Sequence, residues 1–368
     1  MILHLLTDDK FADYAIAQFS APEMQSDFVL IPSNNAMDLV KHIDRCTIIQ
    51  QRSPEFEDLL SRLDQYSAIF FHGLFWGGWQ NPMLERIPKS VKVAWYFWGG
   101  EIYSRQDLEV AFLSPLTKFV YRLHSLKKTN RSEDCTWQIQ TELFKRADYC
   151  LTSIREEADF ARQYLGASFK HLWYTYYSLE DTIGALLTKQ CHGNNVWIGN
   201  SSAIENNHLD VLRVIYMSRR KLNLTNRGII MPLSYGEVWT RNLVKRIGEL
   251  IFGKRMRVLE TYIPREEYNE MMLSCSTMIL GYLEPAGQGN IITALWLGMR
   301  VYLSEKSMAY TYYKRIGAKV FAIEKDLKTY GFAPLLDEER AENRKVLNQW
   351  YGKQHVLQAV NDVVNELR

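Results

Sequence analysis

Short apolar runs that read as strands alternate with segments of helical periodicity along almost the whole chain, and this alternation restricts the fold more than any other feature. In the first half, strands are expected at MILHLLT (1–7), SDFVLIP (26–32), CTIIQ (46–50), SAIFFHG (67–73), VKVAWYFW (91–98) and YCLTS (149–153). Helical patterns lie between them over 11–20, 54–66, 114–128 and 155–165. In the second half, strands are expected at NVWIGN (195–200), RGIIMPL (227–233), MRVLETY (256–262), TMILGYL (277–283), MRVYLSE (299–305) and KVFAI (319–323). Helical patterns there cover 207–220, 237–252, 265–274, 290–298 and 309–316. Strands separated by helices in this way predict parallel sheets covered by helices on both faces, the α/β class.

A length of 368 residues suits two such domains. The stretch SLEDTIGALLTKQCHGNN (178–195) is polar at both ends and separates two complete alternating sets. The expected division is therefore 1–180 and 181–368, with the final helix free to pack back on the N-terminal domain. Two Rossmann-like domains leave ligand sites outside the carboxyl ends of their strands.

Composition narrows the class further. A formal net charge of +2 is too small for a dedicated nucleic-acid binder. The five cysteines are odd in number, widely spaced and form no CxxC, which points to free thiols in a reducing compartment rather than disulfides or structural zinc. The first residues, MILHLLTDDK, lack a basic leader and read as a first strand. No run approaches the ~20 apolar residues of a membrane span. The expectation is a cytosolic protein or one peripheral to a membrane.

Several stretches place chemistry at strand ends. VWIGNSSAIENNHLDVL (196–212) ends a strand at Ile198, continues through Gly199, Asn200 and Ser201, and opens a helix near Asn207 and His208. Unbonded N–H groups and the positive dipole end of a helix suit a phosphate there, while an ordinary capped strand-to-helix loop would look the same. LEPAGQGNIITALWLG (283–298) repeats the arrangement with Gln288, Gly289 and Asn290, and Glu305 closes the next strand, where a carboxylate could accept from a ribose hydroxyl or simply cap a surface helix. His72 ends the strand IFFHG and is either a base or a core histidine. Glu101 follows Gly99-Gly100 at the end of VAWYFW, either as a general base or as a solvated loop acid, and Trp98 stands beside it. The helix over 114–128 carries Lys118, Arg122, Lys127 and Lys128 beside Leu116, Phe119, Val120 and Leu123, so it is either a membrane-surface helix or a domain helix with a basic face. Asp8-Asp9 reads as a strand-to-helix loop, not as half of a metal clamp.

Taken in order, FFHG, WYFWGGEIY, IGNSSAIENNHLDVL, MPLSYG and GQGNIITALWLGMRVYLSE resemble the bacterial 4-acetamido-4,6-dideoxygalactose (Fuc4NAc) transferases of enterobacterial common antigen synthesis. The resemblance implies a GT-B fold, an inverting reaction that needs no metal or other cofactor, a dTDP-activated amino-deoxy sugar as donor, and a lipid-linked saccharide as acceptor at the cytoplasmic face of the inner membrane. It implies donor contacts from Gly199, Asn200, Ser201, Asn207, His208, Tyr235, Gln288, Gly289, Asn290 and Glu305. Catalysis falls to Glu101 or His72, and membrane or acceptor contact to Lys118, Arg122, Lys127, Lys128 and Trp98. The family's aspartate after Trp-Gly-Ala is Glu101 here, after Trp-Gly-Gly, and its QGIGT turn reads QGNII. A GT-B transferase using a UDP- or GDP-sugar on another glycan, and a non-catalytic two-lobed sugar- or nucleotide-binding protein, are the competing readings.

Overall fold

The computed structural model describes residues 1–7, 11–32, 40–74, 79–126, 141–142 and 144–368. The chain forms two compact units. One comprises Met1–Arg105, Ser132–Ser178 and Lys353–Arg368, and the other Gln106–Arg131 and Leu179–Gly352. Asp8, Asp9, Lys127 and Lys128 lie outside the described residues.

The first unit is built on a seven-stranded sheet of β1 (Ile2–Leu6), β2 (Ser26–Leu30), β3 (Thr47–Ile48), β4 (Ala68–Phe71), β5 (Lys92–Tyr96), β6 (Tyr149–Leu151) and β7 (Lys170–Leu172). Its order is β3-β2-β1-β4-β5-β6-β7, and every pair is parallel. Residues of β1, β4 and β5 are almost all buried, as expected of strands covered on both faces. The order reverses direction between β1 and β4, so the crevice rule places ligands at the carboxyl ends of those strands. The final helix, Lys353–Leu367, belongs to this unit. Val360, Val363, Val364 and Leu367 recur at helical spacing and join Ile2, Ala15 and Phe19 in one apolar cluster. Polar contacts hold its end, with Lys92 Nζ donating to the Glu366 carbonyl at 2.8 Å and Lys170 pairing with the Glu366 carboxylate at 2.6 Å.

The second unit has a six-stranded sheet of β8 (Asn195–Ile198), β9 (Ile229–Pro232), β10 (Met256–Leu259), β11 (Cys275–Leu280), β12 (Arg300–Leu303) and β13 (Val320–Ala322). Its order is β10-β9-β8-β11-β12-β13 and it is parallel throughout. Direction reverses here between β8 and β11.

One assignment from the sequence changes. The segment Gln106–Arg131, expected in the N-terminal domain, clusters with the second unit. The cause is polar as well as apolar. Helix Pro115–Ser125 begins with N–H groups that its own turns cannot bond. Asp210, from helix His208–Ser218, takes them, accepting from Leu116 N at 3.0 Å and Thr117 N at 2.8 Å, and from the Thr117 hydroxyl at 2.7 Å. Asn207 Oδ1 accepts from Ser114 N. Leu116 and Val120 then pack on the second unit's core. No helix among the described residues is long and apolar enough to cross a membrane.

Candidate active-site residues and their geometry

In the first unit, β4 and β5 are neighbours, so His72 and Glu101 leave adjacent strands at the same edge of the sheet. Glu101 stands on the short helix Gly100–Tyr103 and is fully buried. Its Oε1 accepts from Trp98 N at 3.3 Å, and Oε2 is without a partner among the described residues. Burial pushes its carboxyl up to about 7, against the pull of nearby backbone donors. Of the two sequence readings of Glu101, a general base or a solvated loop acid, burial removes the solvated one, and the carboxyl ionises near neutrality.

The two glycines before it differ. Gly99 has φ +95°, and a Cβ there would stand 2.8 Å from the Tyr103 ring, whereas a Cβ on Gly100 meets nothing within 4 Å. Gly99→Ala is expected to cost about 2 kcal/mol, from the left-handed backbone alone and then from the displaced ring. Gly100→Ala should be neutral or stabilising by about 0.5 kcal/mol. Urea melts of the two single variants separate these outcomes.

His72 is placed differently from a free base. Its Nε2 is 3.0 Å from His4 Nδ1 and its Nδ1 is 2.8 Å from the Tyr176 hydroxyl, so both ring nitrogens are bonded inside the core. Burial first, and then His4, holds its imidazole well below the ordinary histidine range. Trp98 Nε1 donates to the His72 carbonyl at 2.8 Å, and the Trp98 ring stacks on Tyr176 with centroids 5.2 Å apart. His72 and Trp98 thus belong to an aromatic cluster that fixes the end of β4.

In the second unit, the sheet's carboxyl edge gathers the loops after β8, β9, β11 and β12. They contribute Gly199, Asn200 and Ser201, then Tyr235, then Gln288, Gly289 and Asn290, and finally Glu305. Most N–H groups of the first loop are bonded within the unit. Gly199 N donates to the Ile279 carbonyl at 2.9 Å, Ser202 N to the Tyr235 carbonyl at 2.7 Å, and Asn200 N to Asn206 Oδ1 at 3.1 Å. Ser201 Oγ accepts from Ala203 N and from Asn206 Nδ2. Asn207 and His208, expected to face a donor, are buried. Asn207 Nδ2 donates to the Gly281 carbonyl at 3.0 Å, and His208 Nε2 lies 2.8 Å from the Ser201 carbonyl. Burial pushes the His208 imidazole down to about 4, so it is neutral and Nε2–H is the donor to Ser201. These two residues shape the loop from behind. Tyr235 enters through its carbonyl, which ties the β8 and β9 loops together, while its ring is exposed.

The second turn is the open one. Helix Gln288–Leu297 starts after Gly287, and the first intrahelical bond is Ile291 N to the Gly287 carbonyl. The N–H groups of Gln288, Gly289 and Asn290 precede it. Gly289 is exposed and a Cβ on it would meet nothing within 4 Å, so the helix start is open at this residue. Tyrosines orient its side chains, with the Tyr313 hydroxyl donating to Gln288 Oε1 at 2.8 Å and Tyr268 to Asn290 Oδ1 at 3.1 Å. Gln288 Nε2 is a buried donor without a partner among the described residues. Asn200 reaches the same turn, since its Nδ2 would lie 3.0 Å from a Cβ on Gly287 and its Oδ1 accepts from the Tyr282 hydroxyl. Glu305 stands after β12, paired with Lys325 at 2.6 Å.

One acid in this edge escaped the sequence reading. Glu284, in the turn after β11, has its carboxyl pushed up to about 8 by burial and by the neighbouring Glu205. The strand-end logic that singled out Glu305 applies equally to Glu284. Its coupling to Glu205, 79 positions away in the sequence, has no linear signal.

No protein-family model matches the sequence, and no curated protein matches it either. Solved structures match its fold. Sucrose-phosphate synthase from Thermosynechococcus elongatus superposes with a TM-score of 0.61 at 12% identity, over 100% of this chain and 98% of that one. Anabaena Alr3699/HepE in complex with UDP gives 0.60 at 10% identity over 100% of both chains. An alpha,alpha-trehalose-phosphate synthase (UDP-forming) from Burkholderia vietnamiensis gives 0.59 at 9% identity, again over 100% of both. Two parallel-sheet α/β units, of seven and six strands, together with these matches, give this chain the GT-B fold.

Proposed function

We propose that the chain is an inverting, metal-independent glycosyltransferase. In this reading it moves an amino-deoxy sugar of the Fuc4NAc kind from a dTDP-sugar to a lipid-linked saccharide, as a peripheral protein at the cytoplasmic face of a bacterial inner membrane. The observation that carries the reading is the open helix start at Gln288–Asn290, with its unbonded amide donor at Gln288 Nε2, at the carboxyl edge of a sheet in a GT-B chain. Backbone N–H groups, the helix dipole and the Gln288 amide are the groups that would take up charge on a departing diphosphate. Glu305 would accept from a ribose hydroxyl. Glu101 is the preferred base for the acceptor hydroxyl. Its carboxylate form is available from about pH 7 upward, whereas both His72 nitrogens are already bonded. The order of motifs shared with the Fuc4NAc transferases supports the sugar and the acceptor, and the departures at Gly100-Glu101 and Asn290-Ile291-Ile292 fall at donor and base positions.

A second reading keeps the reaction and changes the nucleotide. Anabaena HepE is described in complex with UDP-glucose and with UDP, which favours a UDP-sugar over GDP as the alternative. Thermal-shift titrations with dTDP, UDP and GDP separate the readings. A nucleotide at about 100 times its dissociation constant adds roughly 2.7 kcal/mol to stability. The expected order is dTDP first. Gln288→Ala should shrink the nucleotide-induced shift by more than it lowers the ligand-free melting temperature. Binding without turnover of any sugar nucleotide would leave a non-catalytic binding protein.

A further inference from the structure

Helix Gln288–Leu297 begins after Gly287 with no side-chain cap, so no side chain of its own turn bonds the first N–H groups. Gln288 and Asn290 stand two residues apart, about 200° around the helix axis, and so flank its start from opposite sides. Gly289 lies between them, exposed and without a side chain. Each amide is held by a tyrosine from a different helix. Tyr313, on helix Met308–Arg315, donates to Gln288 Oε1 at 2.8 Å. Tyr268, on helix Arg265–Leu273, donates to Asn290 Oδ1 at 3.1 Å. Both hydroxyls take the oxygen end of the amide, and the ends they leave are the NH₂ donors, Gln288 Nε2 and Asn290 Nδ2.

The tyrosines are themselves fixed. Tyr313 is fully buried and lies edge-on to Tyr312 with centroids 5.2 Å apart. The Tyr268 ring meets Trp197 edge-on at 4.9 Å, and Trp197 Nε1 donates to the Gly199 carbonyl at 2.9 Å. Burial pushes both phenols up, so each keeps the proton it donates well above neutrality. The acids of this edge do not cancel the donors at pH 7. Glu284, four residues before Gln288, has its carboxyl pushed up to about 8 by burial and then by Glu205. Glu205, also raised by burial first, belongs to the loop after β8 and not to this turn. Glu305 is paired with Lys325 at 2.6 Å. A helix start that presents amide N–H groups on both sides matches a ligand rich in oxygens and without protons to give.

We propose that Tyr313 and Tyr268 are positioning residues that set the specificity of this helix start: by taking the amide oxygens they turn Gln288 Nε2 and Asn290 Nδ2 toward a diphosphate, one phosphoryl group beside each amide. The terminal torsion of an amide side chain is two-fold, so without its tyrosine either amide can turn over and present its oxygen to the phosphate. That exchange replaces an attraction by a repulsion, at no cost to the fold of the helix. The identity of the anion rests on the transferase reading, which this assignment deepens. The orientation of the two amides does not depend on the reaction.

Two double-mutant cycles test this, read by calorimetric titration of the full chain with dTDP, UDP and inorganic pyrophosphate. Tyr313→Phe and Tyr268→Phe should each weaken the diphosphate that the wild type binds best by about five- to tenfold. In a Gln288→Ala background Tyr313→Phe should have no further effect, and likewise Tyr268→Phe in an Asn290→Ala background. The two phenylalanine variants act on separate amides, so their losses should multiply when combined. Gly289→Ala locates the ligand. Its methyl group meets no atom of the unit within 4 Å and should raise the ligand-free melting temperature, yet it covers the open turn and should weaken every diphosphate. The proposal is overturned if both tyrosine variants bind unchanged, or if Gly289→Ala does. It is also overturned if the tyrosine losses persist in full after the partner amide is removed, which would make the two rings packing residues only. In each of these cases dTDP or UDP binding by the wild type leaves the transferase reading standing. Pyrophosphate binding with the expected cycles but no nucleotide binding removes the transferase reading and keeps the anion site. Binding of none of the three removes both.

Discussion

At pH 8, Glu101→Gln raises the unfolding free energy by about 3 kcal/mol and lowers sugar transfer by about 10²- to 10⁴-fold. The two effects have one cause. The Glu101 carboxyl ionises near 7 in the folded chain against 4.5 in an unfolded one, because burial penalises its charged form. Between those pH values the folded state binds the extra proton, so stability falls as pH rises, by about 1.4 kcal/mol per pH unit. Below 4.5 both states are protonated and the acid carries no penalty. Above 7 the whole penalty, about 3 kcal/mol, is present. Glutamine has the shape of the neutral acid and never ionises. Subtracting the variant's stability curve from the wild-type curve should therefore give a difference near zero at about pH 4.5 that grows until about pH 7 and is flat beyond. Activity is expected to move the opposite way, since the base is the carboxylate and wild-type transfer should rise through about pH 7. A variant that gains stability and keeps its turnover would make Glu101 a buried structural acid and remove it from the reaction. A variant that loses turnover without the pH-dependent gain would place its ionisation elsewhere than burial puts it.

The fold was legible where burial made the sequence emphatic. Strands such as SAIFFHG and TMILGYL are covered on both faces and appear as unbroken apolar runs. The strand that escaped, β7, has three residues at a sheet edge, none of them buried. Helix Asp337–Tyr351 escaped for a related reason. Only Asn343, Leu347 and Tyr351 are buried on it, too thin a stripe to stand out among DEERAENRK. The departure of 106–131 from the first unit depends on Asn207 and Asp210, more than 90 positions from the N–H groups they accept from, and no local pattern records such a contact. At the site, the residue types were legible and their orientation was not. A small polar loop ahead of a helix reads alike whether its N–H groups are left open, as at Gln288–Asn290, or are taken up within the unit, as at Gly199, Asn200, Ser202 and Ala203. Asn207 and His208 share that ambiguity, since Asn and His at a helix start serve a ligand or a cap equally well.

The close packing behind the first loop leaves Gly199 no room for a side chain. Gly199→Ala is expected to cost about 3 kcal/mol or more and to abolish the nucleotide-induced thermal shift. Its φ of +72° alone costs a side chain roughly 1–2 kcal/mol. The new Cβ would lie 2.1 Å from His208 Cε1, so the ring must move. Moving it breaks the bond from His208 Nε2 to the Ser201 carbonyl and leaves a buried acceptor unpaired, for another ~1–3 kcal/mol. Nucleotide binding fails by transmission. Asn200 follows Gly199 and reaches the turn at Gly287, so a displaced loop disturbs the helix start that is proposed to hold the diphosphate. A double-mutant cycle isolates the collision. His208→Ala alone loses a buried hydrogen-bonded ring, yet it also empties the space that a methyl group at position 199 needs. The double variant should therefore be less destabilised than the two single costs together, by about 1–3 kcal/mol. Strict additivity would mean that the left-handed backbone, and not the imidazole behind it, is what excludes every side chain from position 199.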